Sequence, residues 1–271
     1  MQNFHSMYKL TKFIGSGFRS KIYTCKDLQS GKYFACKIVA GDNVNKTKSD
    51  ENISINCEHE NINKIQQVVY NRSDEGVVTK YIISELGEGD IFDYIEQQNF
   101  KLCENTVKHI IKQMTKAINY LHKKNICHRD IKLENFIYSK INSNESNHYN
   151  NIKVKLIDFE FAVDCNKFEM TGRTGTKSYI APELYNFKKY DTKVDIWSLG
   201  ICSYMMLSNK NPFNHYKKCN ENIDFNIDLN SFELKYRSDE SIDFLHNLLQ
   251  CDPKNRFNSE EVLNHKWLID V

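Results

Sequence analysis

Polar and apolar residues alternate in short runs at the start of the chain, over residues 8–14, 22–27 and 33–39, with polar or glycine-bearing turns such as Gln29-Ser30-Gly31-Lys32 between them. Runs of this length and period predict three strands of an antiparallel meander. A stretch rich in Asn and Lys follows, then a helix predicted around 48–57 and two further strand-like runs at 65–71 and 77–84. The sum is a five-stranded antiparallel sheet with one helix. Beyond Gly87 and Gly89 the period changes, because Val107, Ile110, Ile111, Met114, Ile118 and Leu121 recur at helical spacing and mark a helix with one buried face. Its end is predicted near Lys123-Lys124-Asn125, where cations suit the negative end of the helix dipole and asparagine tolerates a left-handed cap. Residues 191–207 are apolar on nearly every side and predict a helix enclosed by others. Residues 142–151, rich in Asn and Ser between two apolar strands, predict an elongated mobile loop. The expectation is an α+β chain with a sheet-rich lobe over about 1–84, a hinge at 85–89 and a mainly helical lobe over 90–271.

Size and composition narrow the classes of function. A chain of 271 residues that is 40% hydrophobic can fill the core of an enzyme. Its 37 basic and 35 acidic residues leave a net charge of +2, so nucleic acid is not expected as a partner. The start, Met1-Gln2-Asn3-Phe4-His5, carries no basic region followed by an apolar run, and residue 2 is not the glycine that myristoylation needs. The most apolar stretch, 194–207, is interrupted by Asp195 and Ser198 and is too short for a bilayer. A soluble protein with no membrane partner is expected. Nine cysteines stand scattered without a Cys-x-x-Cys pair, which implies reduced thiols in the cytoplasm or nucleus rather than a zinc site or a disulfide framework.

The richest chemistry lies in His128-Arg129-Asp130-Ile131-Lys132-Leu133-Glu134-Asn135. A carboxylate here can accept a hydroxyl proton, a lysine two residues on can hold a transferring phosphate, and an asparagine five residues after the acid can bind Mg²⁺. The bland alternative is a charged surface turn after a helix. The string resembles the catalytic loop of the eukaryotic protein kinases, and Lys132 resembles the serine/threonine branch.

Further motifs extend the resemblance from about residue 8 to residue 268. Ile14-Gly15-Ser16-Gly17-Phe18-Arg19-Ser20-Lys21-Ile22 is similar to the glycine-rich loop, whose bare backbone approaches phosphates, although Ser20 replaces its third glycine. Ala35-Cys36-Lys37 resembles the strand that carries the lysine gripping the α- and β-phosphates. The resemblance implies an acidic partner for it on the following helix, which would be Glu51, with Asp50 as the alternative. Asp158-Phe159-Glu160 stands where kinases carry Asp-Phe-Gly, so the resemblance makes Asp158 and Asn135 the Mg²⁺ ligands, while Glu160 stiffens a segment that glycine leaves free. In Gly175-Thr176-Lys177-Ser178-Tyr179-Ile180-Ala181-Pro182-Glu183, Thr176 would bond Asp130 and Lys132, and Glu183 would pair with Arg256. Asp195 would hold the backbone N–H groups of the catalytic loop. The adenine pocket would take Ile14, Ile22, Ala35, Ser84, Glu85, Leu86 and Ile137, with the small Ser84 at the gatekeeper position leaving room for bulky aryl groups. Asp90 resembles the acid that contacts the ribose.

The resemblance implies a two-lobed protein kinase fold, the cofactors ATP and Mg²⁺, and transfer of the γ-phosphoryl group to Ser or Thr hydroxyls of protein substrates. Asp90 and Glu134 slightly favour basic substrates. The segments Asp252-Pro253-Lys254-Asn255-Arg256 and His265-Lys266-Trp267-Leu268 look most like the calcium/calmodulin-dependent group. A rival reading, motivated by Ser20, Glu160 and the open choice of helix acid, is a pseudokinase that binds nucleotide or scaffolds without turnover. Activation also stays open: Arg129 resembles the arginine that pairs with a loop phosphate, yet the usual acceptor position is Gly172, so that either Thr171 or Thr174 beside it serves or the loop needs no phosphate.

Overall fold

The computed structural model describes residues 3–17, 19–41, 43–46, 53–141, 151–186, 189–213 and 225–269. It divides into two compact units, Met1–Glu58 with Ile62–Glu88, and His59–Asn61 with Gly89–Val271.

In the first unit, β1 (Tyr8–Ser16), β2 (Lys21–Asp27), β3 (Tyr33–Ala40), β4 (Ile65–Arg72) and β5 (Val78–Ser84) form an antiparallel sheet in the order β1-β2-β3-β5-β4. Directly paired residues share a face, so the register Tyr23↔Cys36↔Ile83 and Ile38↔Tyr81↔Val69 builds one apolar side. A one-turn helix, α1 (Phe4–Met7), seals that side: Phe4 is fully buried, its ring stacked 4.0 Å from Tyr81 and 5.5 Å from Tyr8. Each side chain buried this completely is worth about 1.5–3 kcal/mol, so a residue near the chain start helps to hold the sheet. A second one-turn helix, α2, spans Asn43–Lys46. Half of the helix expected around 48–57 falls outside the described residues; of the other half, 53–55 are helical.

The second unit is mainly helical. The short α3 (Ile91–Gln97) begins at Asp90, whose carboxylate accepts the Asp93 amide at 2.8 Å in a reciprocal capping box. The long α4 (Glu104–Lys123) buries Val107, Ile110, Ile111, Met114, Ala117, Ile118 and Leu121, the stripe expected from the sequence, and the chain turns away at Asn125 with φ +57°. A small sheet pairs β6 (Gly89–Asp90) with β8 (Phe136–Lys140) and β8 with β9 (Ile152–Leu156), while β7 (Ile126–Cys127) pairs with β10 (Val163–Asp164). The loop expected at 142–151 lies almost wholly outside the described residues.

The apolar stretch after residue 191 forms α5 (Lys193–Ser208), buried on nearly all sides. Gly200 permits its close packing, since a Cβ there would stand 2.8 Å from the Leu249 side chain and 3.0 Å from Leu248 Cβ. Among the described residues three further α-helices follow: α6 (Asp239–Leu248), α7 (Ser259–Leu263) and α8 (Lys266–Ile269). Glu104, at the start of α4, accepts the Ser238 amide at 3.0 Å, the Ser238 hydroxyl and the Trp267 indole N–H at 2.9 Å. That clasp ties α4 to α6 and α8. Arg256 is buried and donates to both oxygens of Glu183 at 2.7 and 3.0 Å and to the carbonyls of Gln250 and Lys193. Removing one partner of such a pair costs about 3–5 kcal/mol, because a buried charge is left uncompensated. No helix among the described residues is long and apolar enough to cross a membrane.

Candidate active site

The turn after β7 sets the position of Asp130. Asp195, near the start of α5 and 1% exposed, accepts the His128 amide at 2.9 Å, the Arg129 amide at 2.8 Å and His122 Nε2 at 2.9 Å. These bonds hold Arg129 at φ +66°, a conformation that strains a side chain of its size. Burial would raise the Asp195 carboxyl, but the bond and charge of His122, the charge of His128 and the His128 amide together hold it below the usual range. His122 left no signal in the sequence beyond its place near the end of a helix.

Asp130 is itself buried and surrounded by donors. Its Oδ1 accepts the Thr176 amide at 3.0 Å and the Thr176 hydroxyl at 2.7 Å, and its Oδ2 accepts Asn135 Nδ2 at 3.0 Å and Lys132 Nζ at 2.9 Å. Because the Thr176 hydroxyl gives its proton to Asp130, its oxygen accepts from Lys132 Nζ at 3.0 Å. The three residues close a ring of polar contacts in which each atom has a defined role. Gly175, at φ +102°, makes the approach possible: a Cβ there would stand 2.5 Å from the Arg129 carbonyl oxygen.

Asn135 and Asp158 sit at adjoining ends of the β8–β9 pair. Phe136 pairs with Leu156, and the Asn135 carbonyl accepts the Ile157 amide at 2.9 Å. Asn135 Nδ2 also donates to the Asp130 carbonyl at 2.8 Å, which turns the amide oxygen, a hard donor suited to Mg²⁺, to the other side. Asp158 has φ +57°, a left-handed conformation that aspartate adopts more readily than most residues, and Phe159 behind it is buried with its ring 5.2 Å from His128. Among the described residues no group of three or more His, Cys, Asp and Glu side chains forms a metal cage. A carboxylate with an amide oxygen is nevertheless a fitting donor set for Mg²⁺, which takes one or two protein ligands and fills the rest with phosphate and water.

In the first unit the register Ile22↔Lys37↔Ile82 and Thr24↔Ala35↔Ser84 places Ile22, Ala35, Lys37 and Ser84 on one face, opposite the side sealed by Phe4. Ser84 lies directly across from Ala35 and Ile65, so two small side chains adjoin at that end of the sheet. Gly15 pairs with Ile22, Ile14 and Ser16 flank it on β1, and the Gly17 amide donates to the Ser20 carbonyl at 3.0 Å to close the turn. The Glu85 carbonyl accepts Asn63 Nδ2 at 3.1 Å, and Leu86 follows it. Glu51 and its alternative Asp50 lie outside the described residues.

Asp90 and Ile137 pair across β6 and β8 in the second unit. Burial pushes the Asp90 carboxyl up to about 6; the Asp93 amide opposes that rise, and the charges of Asp93 and Glu134 add to it. A carboxyl whose folded value is raised contributes stability that is complete below its unfolded value near 4 and is lost as pH climbs through about 6. Asp90→Asn keeps an acceptor for the Asp93 amide but never ionises. The variant is expected to melt about 2 °C higher than the wild type at pH 7.5, with the gain shrinking as pH falls through 6 towards 5. Thermal melts at several pH values check this, and an offset that ignores pH would contradict it.

Comparisons with known proteins identify the family of the chain. The family model for the protein kinase domain matches residues 8–268. The chain is 31% identical to an Aurora kinase of Debaryomyces hansenii over 97% of its own length and 62% of that protein. It is 30% identical to a probable serine/threonine-protein kinase, pXi, of Dictyostelium discoideum over 97% of its length and 36% of the relative. A human SNF-related serine/threonine-protein kinase is 31% identical over 98% of the chain and 34% of the relative. The chain thus spans between about a third and three fifths of the length of these relatives. With the family model covering nearly the whole chain, and Lys132 and Thr176 meeting at Asp130, the chain belongs to the eukaryotic protein kinase family, in its serine/threonine class.

Proposed function

We propose that the chain transfers the γ-phosphoryl group of MgATP to serine or threonine hydroxyls of protein substrates. The observation that carries this reading is the ring formed by Asp130, Lys132 and Thr176, with Asn135 on the second oxygen of Asp130. Phosphoryl transfer asks little covalent chemistry of the protein; positioning and charge stabilisation do the work. Asp130 orients the acceptor hydroxyl and takes its proton, and its rigid donors keep the carboxylate from rotating away. Lys132 places a cation beside it, where negative charge is being moved. Asn135 and Asp158 would hold Mg²⁺, which when bound neutralises phosphate charge. On the sheet of the first unit, Lys37 would align the nucleotide phosphates, while Gly15, Ser16 and Gly17 present backbone to them. The family resemblance supports adenine-contacting roles for Ile14, Ile22, Ala35, Ser84, Glu85 and Leu86 in the first unit and for Ile137 in the second, where Asp90 has the role of the ribose-contacting acid.

Glu134 accepts the Tyr179 hydroxyl at 3.3 Å and acts electrostatically on Asp90, so two neighbouring acids support a preference for substrates with a basic residue near the acceptor. The segments at 252–256 and 265–268 support a place near the calcium/calmodulin-dependent group, and the scattered spacing of the cysteines, with no Cys-x-x-Cys pair, supports the cytoplasm or nucleus. A pseudokinase reading lacks a comparable observation, since Asp130, Lys132, Asn135 and Asp158 are all present. The test is transfer of label from γ-labelled ATP with Mg²⁺ to peptides that differ only in acceptor residue and in flanking arginine. Label on Ser and Thr, higher with arginine, is expected; label on Tyr alone, or none above an Asp130→Ala control, would overturn the proposal.

A further inference from the structure

Arg129 stands next to Asp130, and its guanidinium is engaged by neutral acceptors. Nε donates to the Phe161 carbonyl at 2.7 Å, and Nη1 reaches the Tyr190 hydroxyl at a longer 3.4 Å. Tyr190 is buried, and its amide donates to the carbonyl of the equally buried Met170 at 3.1 Å. One residue away on each strand of chain, Lys189 pairs with Glu169 at 2.9 Å. Residues 169–170 are therefore tied twice to residues 189–190, and the inner tie leads through Tyr190 to Arg129. Residue 172, three before Gly175, is glycine at φ +78° and has no hydroxyl to phosphorylate.

We propose that Tyr190 is a positioning residue: together with the Phe161 carbonyl it fixes Arg129, and through Arg129 the backbone of Asp130, so that the segment from Phe161 to Thr176 is ordered without a phosphate. The inference rests on the kinase reading of Asp130 and specifies how that site is regulated. An arginine facing a gap needs an anion to draw a loop onto it, whereas one already held by a carbonyl and a phenol does not. Thr171, exposed beside Gly172, is then dispensable as an acceptor.

Wild type and Tyr190→Phe are to be treated with phosphatase, checked as phosphate-free by intact mass, and compared by hydrogen exchange over residues 161–176, which reads order whether or not the protein turns over. Protection is expected in the wild type, with exchange about tenfold faster in Tyr190→Phe. The variant should lose about five- to tenfold in kcat with the peptide KM unchanged and Tm within about 2 °C, a split that lost packing would not give. Deprotection of the wild type by phosphatase, or a Tyr190→Phe segment that exchanges and turns over like the wild type, would overturn the inference. A protected segment in a wild type that transfers no phosphate would instead sink the kinase reading and leave the ordering by Tyr190 standing.

Discussion

Asp130→Asn is expected to lower kcat by about 10²- to 10⁴-fold, the usual contribution of a positioned general base. The amide is nearly isosteric but cannot take the hydroxyl proton. It also cannot satisfy its surroundings: four donor contacts converge on the two carboxylate oxygens, from the Thr176 amide and hydroxyl, Asn135 Nδ2 and Lys132 Nζ. An asparagine must turn its own NH₂ towards one pair of them. Leaving buried donors unpaired costs about 1–3 kcal/mol, so Tm should fall by roughly 2–8 °C while the protein stays folded. Steady-state kinetics and thermal melts of the variant check both parts. Retention of more than about a tenth of the wild-type kcat would contradict the role given to this carboxylate.

Gly175→Ala is expected to cost about a hundredfold in kcat, although it touches no group that does chemistry. The added Cβ would lie 2.5 Å from the Arg129 carbonyl oxygen and 3.7 Å from Asp130 Oδ1, and the backbone at φ +102° strains any residue with a side chain. Since the obstructing atom is backbone, relief requires the segment to move, and Thr176 moves with it off Asp130. Gly172→Ala is the matched control. It shares a positive φ of +78° but meets nothing within 4 Å, so it should carry the conformational cost of about 1 kcal/mol and little loss of rate. Equal losses in the two variants would mean that strain, rather than displacement of Thr176, explains the effect.

The parts of the molecule that were legible in the sequence are those whose physics is local or periodic. Strands 65–71 and 77–84 showed because one face of the sheet is apolar, and α4 showed because its stripe packs inward. Asp130, Lys132 and Asn135 were legible because three chemical types stand within six residues, and Thr176 because its motif adjoins a resemblance that names its partners. Long-range clasps left no such trace. Glu104 reaches Ser238 and Trp267 across more than a hundred residues, and a glutamate at a helix start reads equally well as a cap. His122 and Tyr190 matter through atoms they meet far along the chain, at Asp195 and Arg129. Phe4 gave no sign of closing a core, since a single aromatic residue outside any periodic run carries no directional information. Between Asp50 and Glu51 the sequence left a choice, and both fall outside the described residues.

The most direct test counts ADP and phosphopeptide together in one reaction with a serine or threonine peptide. The wild type should form one phosphopeptide for each ADP, and both products should cease when Mg²⁺ is chelated or Asp130 is replaced. ADP made without phosphopeptide, or phosphopeptide made at the wild-type rate by the Asp130 variant, would contradict the account.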